Sequence, residues 1–165
     1  MVKLLGEEHL EDIAESHLLA WQRAFKGILS NDLLYSLDKY EFLSIWKQTI
    51  QNEKRKNYVA LSDENIAIGF ISFGTSKENN QWAEIIGIYI HPEFWDQGYG
   101  KALMQKAVSE IKNSKKYSKI ILWVMEENHS ARLFYDKTGF KPDSMARTSE
   151  RKGEQFQECR YSREF

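Results

Sequence analysis

At 165 residues, with 42% apolar and 13% aromatic content, the chain can bury one substantial core but not two comfortable ones, so a single domain over residues 1–165 is expected. Its 23 basic and 24 acidic residues are well mixed and sum to a net charge of −1, which leaves no electrostatic footprint for nucleic acid. One cysteine, Cys159, excludes an intrachain disulfide, the four histidines show no metal-ligand spacing, and no apolar run approaches the roughly 18 residues of a membrane span.

In chain order, Val2 to Leu5 suits a short strand, and Glu7-Glu8 supplies the acidic start of a helix. Ile13, His17, Trp21 and Phe25 recur every fourth residue, predicting an amphipathic helix from His9 to Lys26 that stops at Gly27. A second helical region is expected from about Asn31 to Glu53, with Leu33, Leu34, Leu37, Tyr40, Phe42, Leu43 and Trp46 as its apolar positions. Tyr58 to Leu61 and Ile66 to Phe73 read as a hairpin turned at Ser62-Asp63-Glu64-Asn65. Further on, Leu103, Ala107 and Ile111 form the stripe of a helix ending near Asn113, and Ile120 to Met125 lacks alternation, as a strand covered on both faces does. Phe156 to Tyr161 alternates and is expected to pair with a segment near Ser144 to Thr148 across Lys152-Gly153. The sum is an α/β chain: a mixed, mostly antiparallel sheet of six or seven strands flanked by about four helices.

Two stretches stand apart from this core pattern. Glu84-Ile85-Ile86-Gly87-Ile88-Tyr89-Ile90 is an apolar strand that ends at His91-Pro92, and Gly98-Tyr99-Gly100-Lys101 opens the next helix. The first N–H groups of a helix lack intrahelical partners and carry partial positive charge, so a glycine-rich strand-to-helix turn suits an anion. It is not a P-loop, because Trp95 and Ala102 stand where Gly and Ser or Thr are required. Leu103 in place of a third glycine rules out the dinucleotide fingerprint.

Trp95-Asp96-Gln97-Gly98-Tyr99-Gly100 instead resembles motif A of the GNAT superfamily of acyl-CoA-dependent N-acetyltransferases, Q/R-x-x-G-x-G/A, departing from it only at Trp95. Asn128-His129-Ser130-Ala131-Arg132-Leu133-Phe134-Tyr135, closing at Gly139-Phe140, resembles motif B without a mismatch. Trp21, Phe25 and Gly27-Ile28-Leu29 are similar to the opening of many bacterial members, in which the first two helices wall the acceptor site.

The resemblance implies acetyl transfer from acetyl-CoA to a primary amine by direct attack in a ternary complex, with no metal. It implies that the Asp96, Gln97, Gly98, Tyr99, Gly100 and Lys101 turn cradles the pyrophosphate through main-chain amides. Lys101 either adds charge there or is an ordinary exposed lysine. Ile88 and Ile90, with Tyr89 between them, would hold the pantetheine arm by backbone bonds, and Gly87 would mark the bulge that splays this strand from its neighbour. Asn128, Ala131 and Tyr135 fall on one helical stripe. There Tyr135 would protonate the leaving thiolate, Ala131 leave room for the cofactor and Asn128 bond the arm; otherwise Tyr135 is a core tyrosine.

Glu84 is the candidate base by its spacing to the motif A glycines. Strand alternation puts it on the face of Ile86, Ile88 and Ile90, and the alternative is a strand-end carboxylate in solvent. Arg147, Glu158 and Arg160 are possible acceptor contacts. Ribosomal-protein N-terminal acetyltransferases share both motifs but carry a glutamate where Trp123 stands, so that class is ranked below a small-molecule or unassigned amine; a small-molecule or peptide amine is the expected acceptor, with a protein N-terminal or lysine amine as the alternative. A non-catalytic acyl-CoA-binding module is the rival reading. No nucleic-acid or membrane partner is expected, a homodimer is possible because relatives often pair, and the cytoplasm is the expected location, Met1 to Gly6 lacking a signal-peptide core.

Overall fold

The computed structural model describes residues 1–165, and its elements follow the periodicities of the sequence closely. Seven strands, β1 (Val2–Leu4), β2 (Arg55–Leu61), β3 (Ala67–Thr75), β4 (Trp82–Ile90), β5 (Lys119–Met125), β6 (Lys141–Arg151) and β7 (Glu154–Glu164), form one sheet in the order β1-β2-β3-β4-β5-β7-β6. Only β4 and β5 run parallel. The helices are α1 (Leu10–Ala24), α2 (Asn31–Ser36), α3 (Lys39–Thr49), α4 (Tyr99–Asn113) and α5 (His129–Lys137). None is long and apolar enough to cross a membrane.

The expected second helical region is two helices, which brings the helix count to five. Leu37 is extended at ψ 140°, and the Asp38 carboxylate accepts from the Glu41 N–H at 3.0 Å, so a fresh N-cap restarts the helix at Lys39. The closing hairpin is longer than its alternation suggested. Lys152 and Gly153 both take positive φ (48° and 83°), the condition for the tight hairpin turn whose twist matches its strands.

Each face of the sheet buries its own core. Under α4 and α5 lie Ile71, Ala83, Ile85, Leu103, Met104, Ile120, Leu122, Tyr135 and Phe140. Under α1, α2 and α3 lie Ile13, Leu33, Phe42, Trp46, Val59, Phe70 and Met125. Ser16 Oγ donates to the Ala67 carbonyl and Asp12 accepts from its N–H, both at 3.2 Å, which pins α1 to the start of β3.

The expected bulge is present and changes one expectation. Ser72 pairs with Gly87 and Phe73 with Ile85, so Ile86 is the extra residue and its side chain is exposed. An extra residue reverses strand parity. Ala83 and Ile85 belong to the core under α4 before the bulge, whereas Ile88 and Ile90 pack there after it and Tyr89 packs against the core under α1. Glu84 therefore faces away from Ile88 and Ile90, on the side of the first three helices, and not on their face as unbroken alternation predicts.

Candidate active site

The parallel pairing of β4 with β5 runs from Trp82 to Ile85 and ends there. Past that point β4 keeps its antiparallel partner β3, and His91 N–H donates to the Ile68 carbonyl at 2.7 Å. Because hydrogen-bonding direction alternates along an antiparallel strand, Tyr89 and Gly87 bond to β3, while the N–H and C=O groups of Ile88 and Ile90 point into the gap left by β5. One of these is already used: the Trp95 indole N–H donates to the Ile90 carbonyl at 2.7 Å. Trp95, the residue that departs from motif A, thus ties the turn to the end of the strand.

Between β4 and α4 the chain makes a single 3₁₀ turn at Pro92–Phe94, and Gln97 Nε2 donates back to the Glu93 carbonyl at 3.0 Å. Asp96 and Gly98 take positive φ of 59° and 87°. Gly98 is the N-cap of α4, no side chain caps it, and the N–H groups of Tyr99, Gly100 and Lys101 have no partner in the protein. A methyl group on Gly98 would meet nothing within 4 Å, so open space lies before this helix end. One on Gly100 would touch Phe134 at 3.5 Å and Ile90 at 3.9 Å, which shows that α5, α4 and the end of β4 meet here.

In α5, Asn128 is the N-cap, its Oδ1 accepting from the Ala131 N–H at 3.2 Å, so that oxygen is committed and the amide NH2 is left over. Ala131 is partly buried against the core. Tyr135 is buried among Phe134, Phe140 and Tyr161, and its hydroxyl makes no hydrogen bond within the protein. Burial alone pushes its pKa well above that of free tyrosine. The Tyr89 phenol is pushed up too, first by burial and then by the nearby Tyr135, so the two hydroxyls share one neighbourhood.

Burial raises the Glu84 carboxyl above the ordinary glutamate value, partly opposed by the positive charge of Arg147. The three polar residues near the C-terminal strands divide. Arg160 is buried and held by Glu78 and by Asp143 (2.8 Å), a structural role. Arg147 lies 4.3 Å over the Trp123 ring and pairs with Glu158 at 2.6 Å, on the sheet face towards which Glu84 points. Trp123 itself donates to Glu78 at 3.0 Å.

Sequence reading placed Trp21 on a helix that walls the acceptor site by resemblance, but did not foresee the residues that gather around it. His17, Trp21, Phe42, Trp46, Phe70 and Tyr89 form one aromatic cluster, with centroid separations from 4.4 to 6.5 Å around His17. The His17, Trp21 and Tyr89 side chains keep part of their surface open. His17 Nδ1 accepts from the Trp46 indole at 3.2 Å, so the ring proton sits on Nε2, and burial followed by the Arg151 charge holds its pKa down to about 3. Helical spacing could have pointed to His17 and Trp21, but it served equally for core packing. A separate cleft of about 650 Å3 lies at the far end of α4, around Glu110, Lys56 and Tyr117, away from all of these groups.

The model of the acetyltransferase (GNAT) family matches residues 11–140. The chain belongs to that family. The uncharacterised N-acetyltransferase YuaI of Bacillus subtilis is 31% identical over 141 residues, spanning 84% of this chain and 78% of that one. The spermidine N(1)-acetyltransferase of Thermoplasma acidophilum is 26% identical over 144 residues, spanning 85% and 87%. Among solved structures, the PaiA N-acetyltransferase of the same archaeon, crystallised with coenzyme A, superposes with a TM-score of 0.76 over 100% of this chain and 98% of its own, at 23% identity. The GNAT protein described here is accordingly an acetyl-CoA-dependent N-acetyltransferase. The residues present fit that cofactor: an uncapped helix end with open space before it, beside an unpaired strand edge.

Proposed function

We propose that residues 1–165 act as one acetyltransferase domain that transfers acetyl to a primary amine by direct attack in a ternary complex. When bound, acetyl-CoA supplies an activated acyl group and a thiolate leaving group. Its diphosphate would be held by the amides of Gln97 to Lys101, and its arm by the free backbone groups of Ile88, the Ile90 N–H and the Asn128 amide. The observation that carries the reading is the gap beside Ile88 and Ile90, which pack against the core that holds Tyr135 with its hydroxyl unpartnered.

Tyr135 is protonated throughout the working range, so it can give a proton but cannot act as a base. In water the transfer from a phenol (pKa ~10) to a thiolate (~8.5) is uphill by about 2 kcal/mol. Desolvation that raises the phenol also raises the thiol, so the gap does not grow in proportion. An amine of pKa ~10 must also lose a proton, at a cost of about 4 kcal/mol at neutral pH. Glu84, its basicity raised by burial, is the group proposed to take that proton, directly or through water. A small-molecule or peptide amine fits better than a ribosomal N-terminus, because Trp123 and its Glu78 bond occupy the position of that class's glutamate.

The test is thiol release from acetyl-CoA across a panel of amines and peptides. Tyr135→Phe should lose roughly a hundredfold or more in kcat while coenzyme A binding, read by calorimetry, is kept. Wild-type turnover in that variant would remove the proton-donor role. Coenzyme A binding without turnover on any acceptor would favour a non-catalytic binding module.

A further inference from the structure

The arginines near the acceptor face are not equivalent. Arg160 is matched by Glu78 and Asp143, and Arg147 by Glu158. Arg151, at the end of β6, has its Nε buried without a partner. Its nearest carboxylate, Glu41, is 3.9 Å away and already bonds Lys152 at 2.7 Å. The guanidinium lies over the Trp21 ring, 5.4 Å from the centroid, and 6.0 Å from that of Phe42. Trp21 Nε1 is likewise buried; it makes no well-formed hydrogen bond, and the acceptor it lies near is the Tyr89 hydroxyl.

The cationic Arg151 Nε thus lacks an acceptor, and the Trp21 indole N–H is only weakly engaged by Tyr89, beside the aromatic cluster that contains Tyr89, whose hydroxyl neighbours Tyr135. The positive field of Arg151 reaches both Tyr89 and His17. The hairpin bearing Arg151 is tied down over the first helices: Glu154 accepts from Ser30 N–H (2.7 Å) and Oγ (2.6 Å), and Lys152 holds Glu41. Arg151 is therefore presented from a braced strand end.

We infer that Arg151, with the Trp21 indole N–H, is an anion seat for the acceptor, and that the acceptor is an amine carrying a carboxylate, an amino acid in the broad sense. The inference rests on the transfer reading above and names the substrate class at that same site. A guanidinium edge matches a carboxylate in a plane with two parallel hydrogen bonds, and the indole N–H adds a third donor. The aromatic rings take the apolar part of the molecule, and the amine end is left to face Tyr89 and Tyr135. A polyamine suits this seat poorly. Glu78, Glu158 and Glu41 already have cationic partners, and Glu84 is the one carboxylate of this group in no ion pair.

The experiment pairs each of the common amino acids with its decarboxylated amine, adds spermidine, and follows coenzyme A release. The carboxylated member should have the higher kcat/KM by roughly tenfold or more for the best pair. Arg151→Gln should erase that ratio through KM, leaving the decarboxylated partner and coenzyme A affinity unchanged, and Arg151→Lys should restore part of it. Spermidine or plain amines preferred, with Arg151→Gln without effect, would overturn the anion seat while upholding the transferase. Should no acceptor release thiol, transfer itself fails. The seat is then judged by calorimetry of the same amino acids on protein loaded with coenzyme A: binding lost in Arg151→Gln upholds it, and no binding by any of them overturns it.

Discussion

At the scale of single residues, Glu84 carries a distinguishing test. A carboxylate acts as a base only above its own pKa, and burial has raised that value, so its contribution is lost as pH falls. Glu84→Gln should reduce kcat/KM by roughly a hundredfold near neutrality. The deficit should close as pH approaches the amine's own pKa near ~10, where free amine is abundant without help. A deficit equal at every pH would mark Glu84 as a structural residue, and no deficit at all as a strand-end carboxylate. The corrected face matters here: one bulged residue, Ile86, moves Glu84 from the α4 side to the side where Arg147 and the aromatic cluster lie.

At the scale of elements, the strand-to-helix junction depends on backbone conformation more than on side chains. Gly98 holds φ 87° as the N-cap of α4, a conformation that costs an L-residue about 1–2 kcal/mol. Gly98→Ala should lower the melting temperature by roughly 2–8 °C. It should also weaken coenzyme A binding, since the added methyl enters the open space before the helix end. Unchanged calorimetric affinity in a folded Gly98→Ala protein would argue against that helix end as the diphosphate site. Trp95 belongs to the same element. Its bond to the Ile90 carbonyl explains how the turn keeps its place although motif A lacks its usual polar residue, and why the carbonyl of Ile88 is left as the free acceptor.

For the whole molecule, the aromatic cluster binds α1 and α3 to the sheet through a neutral histidine. His17 is held at a pKa of about 3 in the fold, against 6.5 when free, so on acidification the unfolded chain takes up a proton first. The stability this group leaves intact above pH 6.5 is lost as pH falls towards 3, at up to about 1.4 kcal/mol per pH unit. Urea unfolding between pH 7 and 4 should show this slope, and His17→Gln should remove about one proton's worth of it even if that variant is less stable overall. An unchanged slope would mean that His17 titrates normally.

Much of the fold was legible because its signals are local. Alternation, helical spacing, glycines and caps operate within a few residues, so the strands, the motif A turn, the motif B helix and the Lys152-Gly153 hairpin could be read from the chain, and the two motifs carried the family with them. The break at Leu37-Asp38 was missed because Asp38 can cap a helix as readily as it can lie exposed within one, and only the chain's path over the sheet selects between them. Pairing decided the rest. Which face Glu84 occupies depends on the register between Ser72–Phe73 and Ile85–Gly87, and Arg151 meets Trp21 and Phe42 only because residues distant in the chain lie across one sheet face. Sequence periodicity names the faces of an element, but the partners that meet on those faces are fixed by tertiary register, in which one inserted residue reverses every side chain beyond it.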